Sequence, residues 1–100
     1  MRITRKDLET LVARLNRETG SPPEPWTRGE DGFLHASIGN FHLSSAYGGW
    51  SLHRMVNECG GVSDVFRCGH VPARDLYNQI HAFLRGVEFA TAEVNAKGSI

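Results

Sequence analysis

Apolar and polar positions alternate with a period of two through residues 33–56, FLHASIGNFHLSSAYGGWSLHRMV. That period marks half-buried strands. Gly39-Asn40 and Gly48-Gly49 interrupt it, and such pairs readily take the positive φ that two-residue hairpin turns need. The pattern predicts three strands, over residues 34–38, 41–47 and 50–56. Two-residue turns also fix a register. The first sets Ile38 opposite Phe41, Ala36 opposite Leu43 and Leu34 opposite Ser45. The second sets Tyr47 opposite Trp50, Ser45 opposite Leu52, Leu43 opposite Arg54 and Phe41 opposite Val56. One face then carries Leu34, Ala36, Ile38, Phe41, Leu43, Tyr47, Trp50, Leu52 and Val56. The other carries His35, Ser37, His42, Ser44, Ser51, His53 and Met55. Arg54 is the misfit on the apolar face, expected at an edge with its head in water.

Helical spacing flanks this stretch. Over residues 4–19, Leu8, Leu11, Val12 and Leu15 form one stripe. Thr4 is a good N-cap with Asp7 three residues on, Ile3 and Leu8 are placed for a hydrophobic staple, and Gly20 is a stop. Residues 21–32 hold three prolines, which bar helix and central strand. They predict an extended crossing pinned on the core by Trp26. Residues 62–66 are either a fourth strand or an irregular return. Pro72 suits the first turn of a second helix, whose stripe is Leu76, Ile80, Phe83, Leu84 and Val87. Arg85-Gly86 offers a stop, with continuation through Phe89 as the alternative. Residues 91–100 lack a pattern and are expected to fray.

The order is helix, three strands, helix, with one apolar stripe on each helix and one apolar face on the sheet. The economical packing is an α+β fold. It is an α-β-β-β-α two-layer sandwich with both helices on one face of an antiparallel three-stranded meander. Residues 1–90 make one domain. This order resembles that of the double-stranded RNA-binding domain in topology. That family places a lysine-rich motif at the start of its last helix. Here the stretch is HVPARDLYNQ, whose only Lys or Arg is Arg74, so RNA binding does not carry over. The runs GNFHLSSAYGGWSLHRMVNECGGVSDVF and GHVPARDLYNQIHAFLRG, about residues 39–86, resemble small uncharacterised proteins encoded by bacteriophages and prophages. The resemblance rests on the Tyr-Gly-Gly-aromatic turn, the Asn-Glu-x-Gly-Gly-Val turn and the Leu-Tyr-x-x-x-x-x-Phe helix. It implies a context and no mechanism.

Eleven Lys and Arg balance eleven Asp and Glu. Neutrality disfavours a general nucleic-acid binder. No apolar run approaches the roughly 20 residues of a membrane span. The first residues show no signal-peptide core. Two cysteines without such a signal read as reduced thiols, and the expected location is the cytoplasm of a bacterial host.

Candidate chemistry is sparse. His53, Cys59, Cys68 and His70 are permissible zinc ligands, but the spacing lacks the paired C-x2-C knuckle, so no metal is predicted. Ser44 between His35 and His53 supplies a nucleophile and a base without an orienting carboxylate. No catalytic residue and no cofactor are predicted. What remains is a surface. His35, Ser44 and His53 fall in one row across the strands, with His42 on a diagonal, on a face that is either simply solvated or covered by a partner. The expected function is a small non-enzymatic binding protein for a macromolecular partner, a protein in the first instance. Homodimerisation through one of the meander's unpaired edges is one form of this. One alternative is a nucleic-acid-binding module using that face with Arg5, Arg14 and Arg17. Another is a small metal-binding protein.

Overall fold

In the computed structural model, which describes residues 2–98 and side chains through residue 92, Thr4 caps the first helix, α1 (Arg5–Thr19). The Thr4 hydroxyl accepts from the Asp7 N–H at 3.2 Å, and the Asp7 carboxylate accepts from the Thr4 N–H at 2.8 Å. This reciprocal pair satisfies donors that a helix start leaves orphaned. The Thr4 N–H holds the Asp7 carboxyl below its ordinary value. Gly20 ends the helix at φ 68°, a conformation that costs a residue with a Cβ. Leu8, Leu11, Val12 and Leu15 are buried, and Ile3 packs beside them as the staple requires.

Five strands and a second helix follow: β1 (Trp26–Arg28), β2 (Leu34–Ala36), β3 (Phe41–Ala46), β4 (Gly49–Met55), β5 (Val62–Asp64) and α2 (Ala73–Gly98). β3, β4 and β5 form an antiparallel meander, while β1 and β2 form a separate two-stranded sheet. α1 packs against β3, α2 against β4, and the two helices against each other. Leu8, Leu15, Phe41, Leu52, Leu76, Ile80 and Leu84 meet in one core. Arg14 pairs with Glu18 one turn on along α1 and ties the two helices at the surface through Glu88 of α2. The α+β architecture, two helices on one face of a three-stranded antiparallel sheet, is therefore the expected one. Its strands are not all the expected ones.

The stretch predicted as the first meander strand leaves the meander. β2 pairs with β1, Trp26 opposite Ala36 and Arg28 opposite Leu34. Leu34 and Ile38 are more than half exposed and only Ala36 is buried. The third meander strand is β5, from the segment left open between strand and return. Gly39-Asn40 is not a two-residue hairpin turn. Asn40 N–H donates to the Ser37 carbonyl at 3.1 Å. Gly39 sits third in that four-residue turn at φ 93°, where a type II turn places glycine. Gly39 and Asn40 together then oppose Met55, with bonds of 2.8 and 2.9 Å, so the ladder begins on a bulge. The Asn40 side chain donates to the Pro22 carbonyl at 2.8 Å and is buried. That bond fixes the proline segment to the start of β3.

The second turn is Tyr47-Gly48, at φ 54° and 73°, one residue earlier than predicted. Gly49 is a strand residue, and a Cβ there would lie 3.1 Å from the backbone of His70 and Val71. Its missing side chain serves close packing rather than the turn. The true register sets Phe41 opposite Arg54, Leu43 opposite Leu52 and Ser45 opposite Trp50. This is a two-residue slip from the prediction, and a slip of two keeps every side chain on its face. Phe41 and Leu52 are buried, and Leu43 and Trp50 are half-buried against the core. Tyr47, placed by the turn, is fully exposed. Arg54 is exposed with its guanidinium 5.0 Å from the Phe41 ring centroid.

Trp26 lies outside the core, its ring over Gly60, where a Cβ would approach it to 2.7 Å. α2 does not stop at Arg85-Gly86 and runs to Gly98. Of the tail predicted to fray, residues 99 and 100 lie outside the described residues. No helix among the described residues is long and apolar enough to cross a membrane.

Candidate functional site

Two features of β3 define the site: its free backbone edge and its outer face. Phe41 establishes which way the edge points. Its N–H donates to the Asn16 Oδ1 at 2.8 Å, and its carbonyl accepts from the Asn16 Nδ2 at 2.9 Å. Those groups therefore point away from β4. Backbone direction alternates along an antiparallel strand, so the N–H and C=O of Leu43 and Ser45 point away as well. The facing residues agree. Trp50 and Leu52, opposite Ser45 and Leu43, spend backbone bonds on Val71 and Val65 at the far side of β4. Among the described residues, no partner bonds the outward groups of Leu43 and Ser45. The buried Asn16 amide acts as a one-residue imitation of a neighbouring strand and seals the edge only at Phe41.

A cleft of about 510 Å³ runs beside this edge, between α1 and the proline segment. Its apolar lining includes Val12, Ala13, Pro23, Pro25, Phe41 and Leu43. Its charged residues are Arg5, Glu9 and Glu24. Arg5 is paired with Glu9 at 2.9 Å. Nothing in the alternation of residues 33–56 announced the cleft. The readable signal was Asn16, a polar residue one position beyond the stripe of α1.

The outer face corrects the predicted histidine row. His35 is not in it. Its Nε2 lies 2.9 Å from Asp31 in the β1–β2 loop, and its ring lies over Gly29. The Phe33 N–H, and then His35, hold the Asp31 carboxyl below its ordinary value. In the true register Ser44 faces Ser51, and His53 faces His42 with ring centroids 6.0 Å apart. The third histidine is His70, 6.3 Å from His53 and 6.3 Å from Tyr47. The Ser44 hydroxyl and His70 Nε2 are 3.1 Å apart. His70 reaches this face because Val71 pairs with Trp50 through bonds of 2.7 and 2.9 Å over the bare Gly49. A residue before proline is biased to extended backbone, so Val71-Pro72 was the available sequence signal.

Residues 33–56 hold no Asp or Glu, but β5 brings a carboxylate to this face. Asp64 stands opposite His53 and shares its side of the sheet. Its carboxylate accepts from the Arg67 and Gly69 N–H groups at 3.1 and 3.0 Å, which shapes the loop that delivers His70. Burial, and then the neighbouring His53, hold the His42 imidazole below its ordinary value of 6.5. His42 thus joins the two features, since it belongs to the outer face and also borders the cleft. Among the described residues, the buried Ser51 hydroxyl has no hydrogen-bond partner.

The Ser44–His70 pair has the geometry of a hydroxyl and a base. Among the described residues no carboxylate bonds His70, which leaves the pair without an orienting third member. Cys59 and Cys68 are both exposed, Cys68 beside Gln79 on α2. No group of three or more His, Cys, Asp or Glu among the described residues is placed to hold a metal ion. No family model, no curated protein and no solved structure matches this chain.

Proposed function

We propose that this chain is a small non-enzymatic binding protein that takes an extended segment of a partner protein along the free edge of β3. The observation that carries the reading is the pair of outward backbone units at Leu43 and Ser45, open beside a cleft of mixed apolar and charged lining. An added strand obtains main-chain bonds from such an edge and side-chain selectivity from the groove next to it. Folded proteins ordinarily blunt their edges with charge, proline or a covering element, and β3 carries none of these beyond Phe41. The resemblance of residues 39–86 to phage and prophage proteins supports a modulator acting in a bacterial cytoplasm. Asp64 among the outer-face histidines disfavours a phosphate-binding use of that face.

The test is Ser45→Pro. Proline removes one outward N–H that the fold does not use, and an edge strand tolerates it on its solvent side. Wild type and variant are compared for binding to a displayed library of short random peptides, with the self-association of each measured alongside. The proposal expects peptide binding by the wild type and a loss of at least about tenfold in the folded variant, for the edge bonds and the fit they enforce. Binding that ignores Ser45→Pro contradicts it. A wild-type dimer that Ser45→Pro converts to a monomer assigns the edge to a second copy and also contradicts it.

A further inference from the structure

We infer that the segment accepted by the β3 edge carries a lysine or arginine, whose stem lies in the cleft between α1 and the proline segment and whose head meets Glu24. This rests on the edge-binding reading above and adds what the edge selects. Arg5 and Glu9 neutralise one another across 2.9 Å. Glu24 is exposed and makes no ion pair among the described residues, so the cleft has one uncompensated negative charge. His42, the remaining titratable group on the lining, does not cancel it at neutral pH, because burial disfavours its charged form. Pro23 and Pro25 flank Glu24 in the chain, and Val12 and Ala13 of α1 line the same cleft. A cleft that offers both an apolar wall and an unpaired carboxylate suits a side chain that is apolar along its stem and cationic at its tip. A strand added to β3 turns alternate side chains toward the helix side of the sheet, the side on which α1 lies. An aliphatic side chain would fill the cleft and leave Glu24 without a partner, and an acidic one would be repelled.

The same peptide selection tests this separately from the edge reading. Peptides recovered by wild type are sequenced, and the best one is synthesised with its basic residue intact and replaced by methionine. The inference expects Lys or Arg enriched at one position in the recovered set. Glu24→Gln should weaken the parent peptide about two- to fivefold, the range for a solvent-exposed pair, and leave the methionine peptide unchanged. Raising the salt should shrink the difference. Arg5→Gln should strengthen the parent peptide, since it frees Glu9. Peptides that require the Ser45 N–H but show no basic enrichment, or that ignore Glu24→Gln, overturn this inference and leave the edge reading standing. Recovery of no peptide, or of peptides indifferent to Ser45→Pro, overturns both. Should Ser45→Pro fail to fold, amide exchange at Leu43 and Ser45 in the wild type decides the edge instead. Slowing on peptide binding supports it, and unchanged exchange refutes it.

Discussion

Residues 26–36 and residues 41–55 each form an antiparallel hairpin, and only the second meets the helices. Both contain alternating apolar residues. In β3 and β4 that alternation places Phe41, Leu43, Trp50 and Leu52 against the stripes of α1 and α2. In β1 and β2 it buries Ala36 and leaves Leu34 mostly in water, like Phe33 just before β2. An alternating pattern states that one face differs from the other. It does not state which surface, if any, the apolar face will find. The second hairpin supplies the core and the free edge, while the first is a satellite attached by Trp26 over Gly60 and by the Ala36 N–H to the Glu58 carbonyl at 3.1 Å.

The sharpest way to break this contrast is truncation on each hairpin. Leu52 is fully buried, so Leu52→Ala should cost about 2–5 kcal/mol in denaturant unfolding. Leu34→Ala should fall within about 0.5 kcal/mol of the parent, as exposed sites do. Equal costs would mean that the satellite sheet shares the core. A smaller effect separates the two close-packed glycines. At Gly49 an added methyl meets backbone of His70 and Val71 at 3.1 Å, which cannot turn aside, so Gly49→Ala should cost about 1–3 kcal/mol. At Gly29 it meets the side chains of His35 and Asp31, which can rotate away, so Gly29→Ala should cost less than about 1 kcal/mol. The reverse order would contradict the placement of His70 over β4.

The smallest effect is on pH. His42 binds its proton less readily folded than unfolded, because of burial and then His53. The unfolded chain therefore takes up the proton first as pH falls, and stability drops once pH passes below about 6.5, levelling below the folded pKa. The slope corresponds to less than one proton, and His42→Gln should remove it. On the satellite hairpin, Asp31 is held low by the Phe33 N–H and His35. Its contribution persists far lower and is lost as pH falls below about 3.8. Urea midpoints measured across this range for His42→Gln and Asp31→Asn would show whether the two hairpins titrate in separate windows, as this requires.

The legible parts of the chain were those with local physical causes. The capping box, the Gly20 stop and both helical stripes depend on residues within a turn of one another. The two faces of β3 and β4 survived an error in register because a two-residue slip preserves them. Neighbour relations do not survive such a slip, so the row of His35, Ser44 and His53 dissolved while His42, Ser44 and His53 stayed on one face. His35 was misplaced because β1 stands directly after three prolines, which hid its strand. His70 came from a loop whose path depends on Asp64, Gly49 and the extended Val71, three positions far apart in sequence. The cleft depends on Asn16 and Asn40, polar side chains whose partners are backbone groups of distant segments, a relation that periodicity does not carry.

The central claim is that β3 presents a free edge at Leu43 and Ser45, sealed by Asn16 only at Phe41. Amide hydrogen exchange resolved by residue tests it without any partner. In the free protein the His42 and Ser44 amides, bonded to β4, and the Phe41 amide, bonded to Asn16, should be protected together. The Leu43 and Ser45 amides should exchange at least about a hundredfold faster, as exposed groups open without unfolding. Protection at all five amides in dilute monomer would mean that something in the chain already covers the edge, and would contradict the account.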